Sequence, residues 1–201
     1  MFNVAVLVVA FNAESKLDDV LKRIPKQFSG ISLKILVCDD ASSDNTYEVG
    51  KSFARDHQRG DIEIIRHEFN LGYGGNQKFG FEWAIRNNFD AVVLLHGDGQ
   101  YAPEMIEEFI RPIQSGTADV VLGSRMMTRG AARKGGMPLY KFVGNKILTK
   151  WQNFVIGTHL SEWHCGYRSY SVRSLNSINF YENADGFNFD TQIILQLNSA
   201  G

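Results

Sequence analysis

The chain has 201 residues, with 21 Lys and Arg against 22 Asp and Glu, a formal charge of -1, and 44% hydrophobic and 21% charged residues. That mix excludes a disordered tail, a collagen repeat or a disulfide scaffold, and the lack of a basic excess excludes a dedicated nucleic-acid binder. The length suits one domain that removes roughly 70% of its extended surface from water, and Cys38 and Cys165, at neither metal nor bridge spacing, read as packed thiols in a reducing compartment.

The first apolar segment, Phe2 to Phe11, has no basic leader, contains Asn3 and is too short to span a bilayer, so it reads as a strand. Within it Val4 to Ala10 is a continuous aliphatic run, the pattern of a strand buried on both faces of a parallel sheet. Leu17, Val20, Leu21 and Ile24 then recur at helical spacing between Glu14 and Phe28. A second strand is expected at Leu33 to Cys38, followed by a polar turn and a helix from Asn45 to Arg59 capped by Ser43 or Asp44. Strands at Ile62 to Arg66 and Ala91 to Leu95 flank a helix at Gly75 to Asn87. Pro103 and Glu104 open a helix to about Gln114, and Val120 to Gly123 is a fifth strand. Past Ser124 the regularity fades into a Gly-, Arg- and Lys-rich loop, Thr128 to Pro138, then a helix at Leu139 to Ile156, a short strand at Tyr167 to Val172 and a last helix at Phe189 to Leu197. Alternation of this kind predicts an α/β fold with a Rossmann-like, doubly wound, mostly parallel sheet.

Ligands of such sheets bind beyond the carboxyl ends of the strands. Polar residues collect there: Phe11-Asn12, Asp39-Asp40-Ala41-Ser42-Ser43, Asn70 to Asn76, His96-Gly97-Asp98-Gly99-Gln100 and Gly123-Ser124-Arg125. In an extended loop His96, Asp98 and Gln100 share a side, and a carboxylate with an amide oxygen suits Mg²⁺ or Mn²⁺; the competing reading is a turn in which Asp98 caps the helix at Pro103. Asp39-Asp40 reads either as a turn and cap or as acceptors for a nucleobase or ribose. Gly72, Gly74 and Gly75 lack a full dinucleotide fingerprint and read as close packing at a helix start. Arg125 offers a planar fork for a phosphate or a surface ion pair.

Val8 to Asn12, Cys38 to Thr46, Asn70 to Gly75, His96 to Glu104 and Gly123 to Arg125, continued by His164 to Arg168 and Gly186 to Thr191, resemble the family 2 glycosyltransferases of the GT-A fold, an α/β/α sandwich. Within them the chain is most similar to the polyprenyl-phosphate or dolichol-phosphate mannosyltransferase-like branch. The resemblance implies a nucleotide-sugar site at Val9, Phe11, Asp39, Asp40, His96 and Gly97, metal ligation by Asp98 and Gln100, and Arg125 on the diphosphate. It places Glu162 toward the acceptor as a candidate base, with His164 behind it and Arg168 as a further acceptor-side candidate. His96 replaces the first Asp of the family's Asp-x-Asp, and Ala13 stands where an acid often follows the Asn; a neutral imidazole can still meet a cation or a hydroxyl.

The expected activity is metal-dependent, inverting transfer of a hexose from a UDP- or GDP-sugar to a polyprenyl phosphate, in cell-envelope glycan synthesis. A saccharide hydroxyl acceptor, a non-catalytic nucleotide-binding domain and a nucleotidyltransferase are the alternatives; the last lacks its Gly-rich basic loop after the first strand. Residues 1–125 are expected to form the nucleotide half and 126–201 the acceptor half of one domain, cut at its C-terminus. The expected location is cytoplasmic, at the membrane face if Arg129 to Lys141, with Arg133 and Lys134, touches anionic head groups.

Overall fold

The computed structural model describes residues 1–127 and 138–201. The Thr128 to Pro138 loop and its basic residues Arg129, Arg133 and Lys134 therefore lie outside the described residues, save for Pro138 at its end.

Strands β1 (Phe2–Ala10), β2 (Ile31–Asp39), β3 (Ile62–Arg66), β4 (Ala91–His96), β5 (Val120–Leu122) and β6 (Arg168–Ser171) form one sheet in the order β3-β2-β1-β4-β6-β5. The contacts β1 with β2, β1 with β4 and β2 with β3 are parallel, while β6 runs antiparallel to β4. Val4 to Ala10, Ile35 to Cys38 and Ala91 to Leu95 are buried residue after residue, as strands covered on both faces must be. The helices α1 (Leu17–Arg23), α2 (Thr46–Asp56), α3 (Gly72–Arg86) and α4 (Ile106–Gln114) follow the first four strands, α4 after a short 3-10 turn at Pro103–Met105.

Helix α1 is shorter than its periodicity suggests. Ile24 is extended, with ψ 119°, because the ring of the following Pro25 crowds a helical residue before it. Helix α3 begins three residues early, since its glycines let the backbone of Ala184 and Asp185 lie against it. A Cβ on Gly72, where φ is +81°, would meet the Asp185 carbonyl oxygen at 2.6 Å, and one on Gly74 would meet that of Ala184 at 2.5 Å.

Two compact units are present. The first joins Met1–Val121 to Tyr167–Gly201, and the second is Leu122–Gly166. The last residues thus return to the first unit rather than forming one half with residues 126–166. There β6 leads into α6 (Val172–Asn176) and, after a 3-10 turn at Phe180–Glu182, α7 (Phe189–Ala200). Phe180, Phe189 and Ile193 join the core with Phe81, Leu7 and Leu94. The second unit contains α5 (Leu139–Ile156), closed by Gly157 at φ +75°. Among the described residues no helix is long and apolar enough to cross a membrane.

Candidate active site

The order β3-β2-β1-β4 reverses direction at β1, so the β1–β4 crevice is the switch point at which open α/β sheets take ligands. Register places the candidate residues at its carboxyl rim. Asp39 pairs with Ala10, and Val9 pairs with His96.

The rim is laced before any ligand arrives. Asn12, at φ +50°, donates its backbone N–H to Ser42 Oγ at 2.8 Å and accepts from Ser43 N at 3.0 Å. Ala13 N donates to Thr46 Oγ1 at 2.7 Å and Glu14 N to Asp44 Oδ2 at 3.1 Å. Ala13 is buried under this lacing. Asp44 accepts from Thr46 N at 3.0 Å, but the cap position of α2 is Asn45, which makes no side-chain cap bond, so neither Ser43 nor Asp44 caps the helix as the sequence suggests.

Asp39 and Asp40 divide their roles. Asp40 Oδ1 accepts the Leu71 N–H at 2.7 Å and its carbonyl accepts from Asn70 Nδ2, which commits it to holding the loop before α3. Asp39 is fully buried, and its Oδ1 accepts from Ser42 N and Oγ. Its Oδ2 is buried without a hydrogen-bond partner, with Arg66 Nε 3.6 Å away. Such an acceptor gains about 1–3 kcal/mol when a donor reaches it.

Val9 turns its side chain into the core, leaving its carbonyl to accept from Gly97 N at 2.9 Å. Phe11 is 54% exposed at the rim. Gly97 is buried against Ala10, where a Cβ would sit 3.1 Å from that of Ala10. Asp98 and Gln100 are exposed, and Asp98 Oδ1 accepts the Gln100 N–H at 3.0 Å. Asp98 therefore closes its own turn and does not cap the helix at Pro103, whose cap position is Ala102. Among the described residues no cluster of three or more His, Cys, Asp or Glu forms a metal cage. Asp98 and Gln100, two residues apart and both exposed, offer the oxygen donors that Mg²⁺ and Mn²⁺ take, with room left for phosphate oxygens and water.

A network the sequence alone does not reveal lies behind His96. Tyr73 Oη donates to Asp190 Oδ2 at 3.0 Å and lies 3.1 Å from His96 Nε2. With the phenol proton directed at Asp190, Nε2 is the donor to the phenol oxygen, and Nδ1 is left as the basic nitrogen. Burial lowers the His96 pKa against the opposing pull of Asp98 and Asp190, which keeps the ring neutral. Burial and the Asp190 charge raise that of Tyr73. Asp190 also meets Gln77 Nε2 at 3.3 Å and Arg168 at 3.4 Å. Arg168 is fully buried in β6 and donates to the Asp190 carbonyl at 2.8 Å, so it serves the interior rather than an open acceptor face. Burial works against its charge, and Tyr170 and Asp190 more than offset this, so its pKa is raised. The available signal is Asp190 itself, an acid in the first turn of a helix, next to Phe189.

In the second unit Glu162 is buried and fully engaged. Its oxygens accept from Arg125 N at 2.7 Å, from the Arg125 guanidinium and from Asn145 Nδ2 at 3.0 Å. Arg125 stays partly exposed. His164 is exposed and lies 3.2 Å from Gln152 Oε1.

Residues 5–178 match the family described as Glycosyl transferase family 2. The chain is 26% identical to the polyprenol monophosphomannose synthase of Mycolicibacterium smegmatis over 86% of its own length and 63% of that protein. It is 28% identical to the UDP-N-acetylglucosamine--dolichyl-phosphate N-acetylglucosaminyltransferase of Methanococcus voltae, over 84% of its length and 69% of that protein. Its fold is that of glucosyl-3-phosphoglycerate synthase from Mycobacterium tuberculosis, solved with Mn²⁺, UDP-glucose and glycerol 3-phosphate. The TM-score is 0.68 at 16% identity, over 96% or more of this chain and 64% to 68% of those solved chains. The chain thus spans about two thirds of the length of these proteins.

Proposed function

The chain belongs to glycosyl transferase family 2, and we propose that it moves a hexose from a nucleotide diphosphate sugar to a polyprenyl phosphate with inversion at the anomeric carbon. The observation that carries the donor is Asp39 Oδ2 at the carboxyl end of β2, buried with no hydrogen-bond partner and 3.6 Å from Arg66 Nε, an acceptor that a base N–H would satisfy. Phe11 beside it offers an exposed ring to the base, and neutral His96 offers Nδ1 to a ribose hydroxyl or the cation. Asp98 and Gln100 are the residues that would hold Mg²⁺ or Mn²⁺, which when bound supplies positive charge to the diphosphate. Arg125, anchored by Glu162, is assigned to the same leaving group.

The engagement of Glu162 supports an acceptor that needs no general base. A phosphate monoester has its second pKa near 6 and is largely dianionic at neutral pH, so its oxygen attacks C1 directly. The new C1–O bond forms as the bond to the diphosphate breaks, and the nucleoside diphosphate leaves with the electron pair. A saccharide hydroxyl would have to give its proton to Glu162, whose oxygens are already occupied. The lipid acceptor is consistent with a place at the cytoplasmic face of a membrane, and with residues 1–125 as the nucleotide side of the enzyme.

A thermal-shift screen of UDP- and GDP-sugars, with and without Mn²⁺, tests the donor, because a ligand of the folded state raises apparent stability. A sugar nucleotide that stabilises only with Mn²⁺ and is consumed when polyprenyl phosphate is added supports the reading. Tight binding without transfer or hydrolysis would leave a nucleotide-binding domain, and pyrophosphate release from a nucleoside triphosphate would make it a nucleotidyltransferase.

A further inference from the structure

The segment Gly186-Phe187-Asn188, just before α7, carries an aromatic ring that the core does not use. Phe187 is 82% exposed, and its ring stacks on Tyr73 with centroids 5.0 Å apart and planes 28° from parallel. Tyr73 in turn meets the His96 ring edge-on at 5.4 Å, and its hydroxyl is held by His96 and Asp190. Because His96 ends β4, the stacked pair stands at the carboxyl rim of the sheet. The loop that presents Phe187 is pinned from several sides. Gly74 N donates to the Asp185 carbonyl at 2.6 Å, Ala184 N donates to Gln192 Oε1 at 2.7 Å, and Lys78 Nζ donates to the carbonyls of Tyr181 and Asn183 and to Asp185 Oδ1. Single apolar side chains on a surface are ordinary. A ring seated flat on a second ring, on a pinned loop at the ligand-binding rim, is a fixed platform.

Topology sets this platform on the sugar side of the donor. Along the rim Asp39 stands on β2, His96 on β4 and Arg168 on β6, in the sheet order β2-β1-β4-β6. A base at Asp39 and a diphosphate at Asp98 direct the hexose past His96 toward β6, where Asp190, just beyond Phe187, meets Arg168. We propose that Phe187, backed by Tyr73, stacks on the C–H face of the hexose of the nucleotide sugar and is a specificity-determining residue for it; this rests on the donor reading above. The face of an aromatic ring is its negative side, and it attracts the weakly positive C–H hydrogens that one face of a pyranose presents. The neighbours suit a sugar rather than an isoprenyl chain, which would call for a continuous apolar surface. Asp185 and Asn188, on either side of Phe187, are polar and exposed. Asn188 occupies the cap position of α7 but makes no side-chain cap bond, which leaves its amide to sugar hydroxyls.

The test is calorimetric titration of UDP, UDP-glucose, GDP and GDP-mannose, with Mn²⁺ present, into the 201-residue chain and into its Phe187→Ala and Phe187→Tyr variants. Phe187→Ala should bind the preferred sugar nucleotide about five- to tenfold more weakly and hold the matching free diphosphate within about twofold. Its melting temperature should equal that of wild type, because the ring it loses is exposed. Phe187→Tyr keeps the ring face and should restore wild-type affinity. In the transfer assay Phe187→Ala should raise KM for the sugar nucleotide and leave KM for polyprenyl phosphate unchanged. Wild-type affinity of Phe187→Ala for the sugar nucleotide, or an equal loss for the free diphosphate, would overturn the proposal. So would a loss confined to polyprenyl phosphate, which would give the ring to the lipid. A wild-type chain that binds none of the four ligands overturns the donor reading and the platform with it. One that binds them regardless of the ring at position 187 overturns the platform alone.

Discussion

Asp190→Asn tests whether the network behind His96 is a charged interior pair. The substitution keeps size and one oxygen, so the Tyr73 phenol retains an acceptor, but it removes the negative charge 3.4 Å from a fully buried guanidinium. Removing one partner of a buried pair costs about 3–5 kcal/mol, since the remaining charge stays out of water. Arg168 keeps its bond to the residue 190 carbonyl, 2.8 Å long, so the lower figure, about 3 kcal/mol, is expected. At roughly 2–4 °C per kcal/mol for a chain of this size, the melting temperature falls by about 6–12 °C. Urea and thermal unfolding of Asp190→Asn, Arg168→Met and the double variant form a cycle in which the double variant is less damaged than the sum of the singles. A loss under 1 kcal/mol for Asp190→Asn, or strict additivity, refutes the assignment of the pair as the organising contact.

Three further outcomes bear on the site and its frame. Asp98→Ala should lose the Mn²⁺-dependent part of UDP binding, tenfold or more in Kd by calorimetry, while metal-free binding is unchanged; equal Mn²⁺-supported affinity would remove Asp98 from the cation site. Glu162→Gln, assayed below its melting temperature, should keep kcat for polyprenyl phosphate within about fivefold, whereas a drop of a hundredfold or more would restore Glu162 as the base. Asp61 accepts both arms of the Arg59 fork, at 2.8 and 2.6 Å, and these bonds lower its folded-state pKa. Its contribution, roughly 1 kcal/mol, is therefore present above the unfolded value near 3.9 and lost as pH falls through the lower folded value. The stability curve of Asp61→Asn should converge on wild type at the acid end; a constant offset from pH 2 to 7 would contradict this.

The parallel part of the sheet was legible because strands covered on both faces must be apolar at every position, as Val4 to Ala10 and Ala91 to Leu95 are. Strand β6 hides its nature: Arg168, Ser169, Tyr170 and Ser171 are all buried, and Arg168, Ser169 and Ser171 find polar partners inside, the Asp190 carbonyl, Phe109 O and Asp119 Oδ1. Periodicity therefore suggested a short strand there but not its antiparallel place between β4 and β5. The site divides in the same way. His96, Asp98 and Asp39 follow strands directly, so chain order places them, whereas Asp190 reaches His96 only through Tyr73, a contact across 117 positions that no local spacing encodes. The engagement of Arg125 with Glu162 joins two residues 37 positions apart that were read separately as diphosphate clamp and base.

The return of Tyr167–Gly201 to the first unit bears on how the chain leaves the ribosome. Domains generally fold as units as they are synthesised, yet here the core around Phe81 and Leu7 is closed by Tyr170, Phe189 and Ile193. The β1 and β4 surfaces must therefore wait, with apolar area uncovered, while all of Leu122–Gly166 is made. A nascent chain stalled near residue 160 should be protease-sensitive and bound by chaperones, and one extended past Ile193 should become resistant.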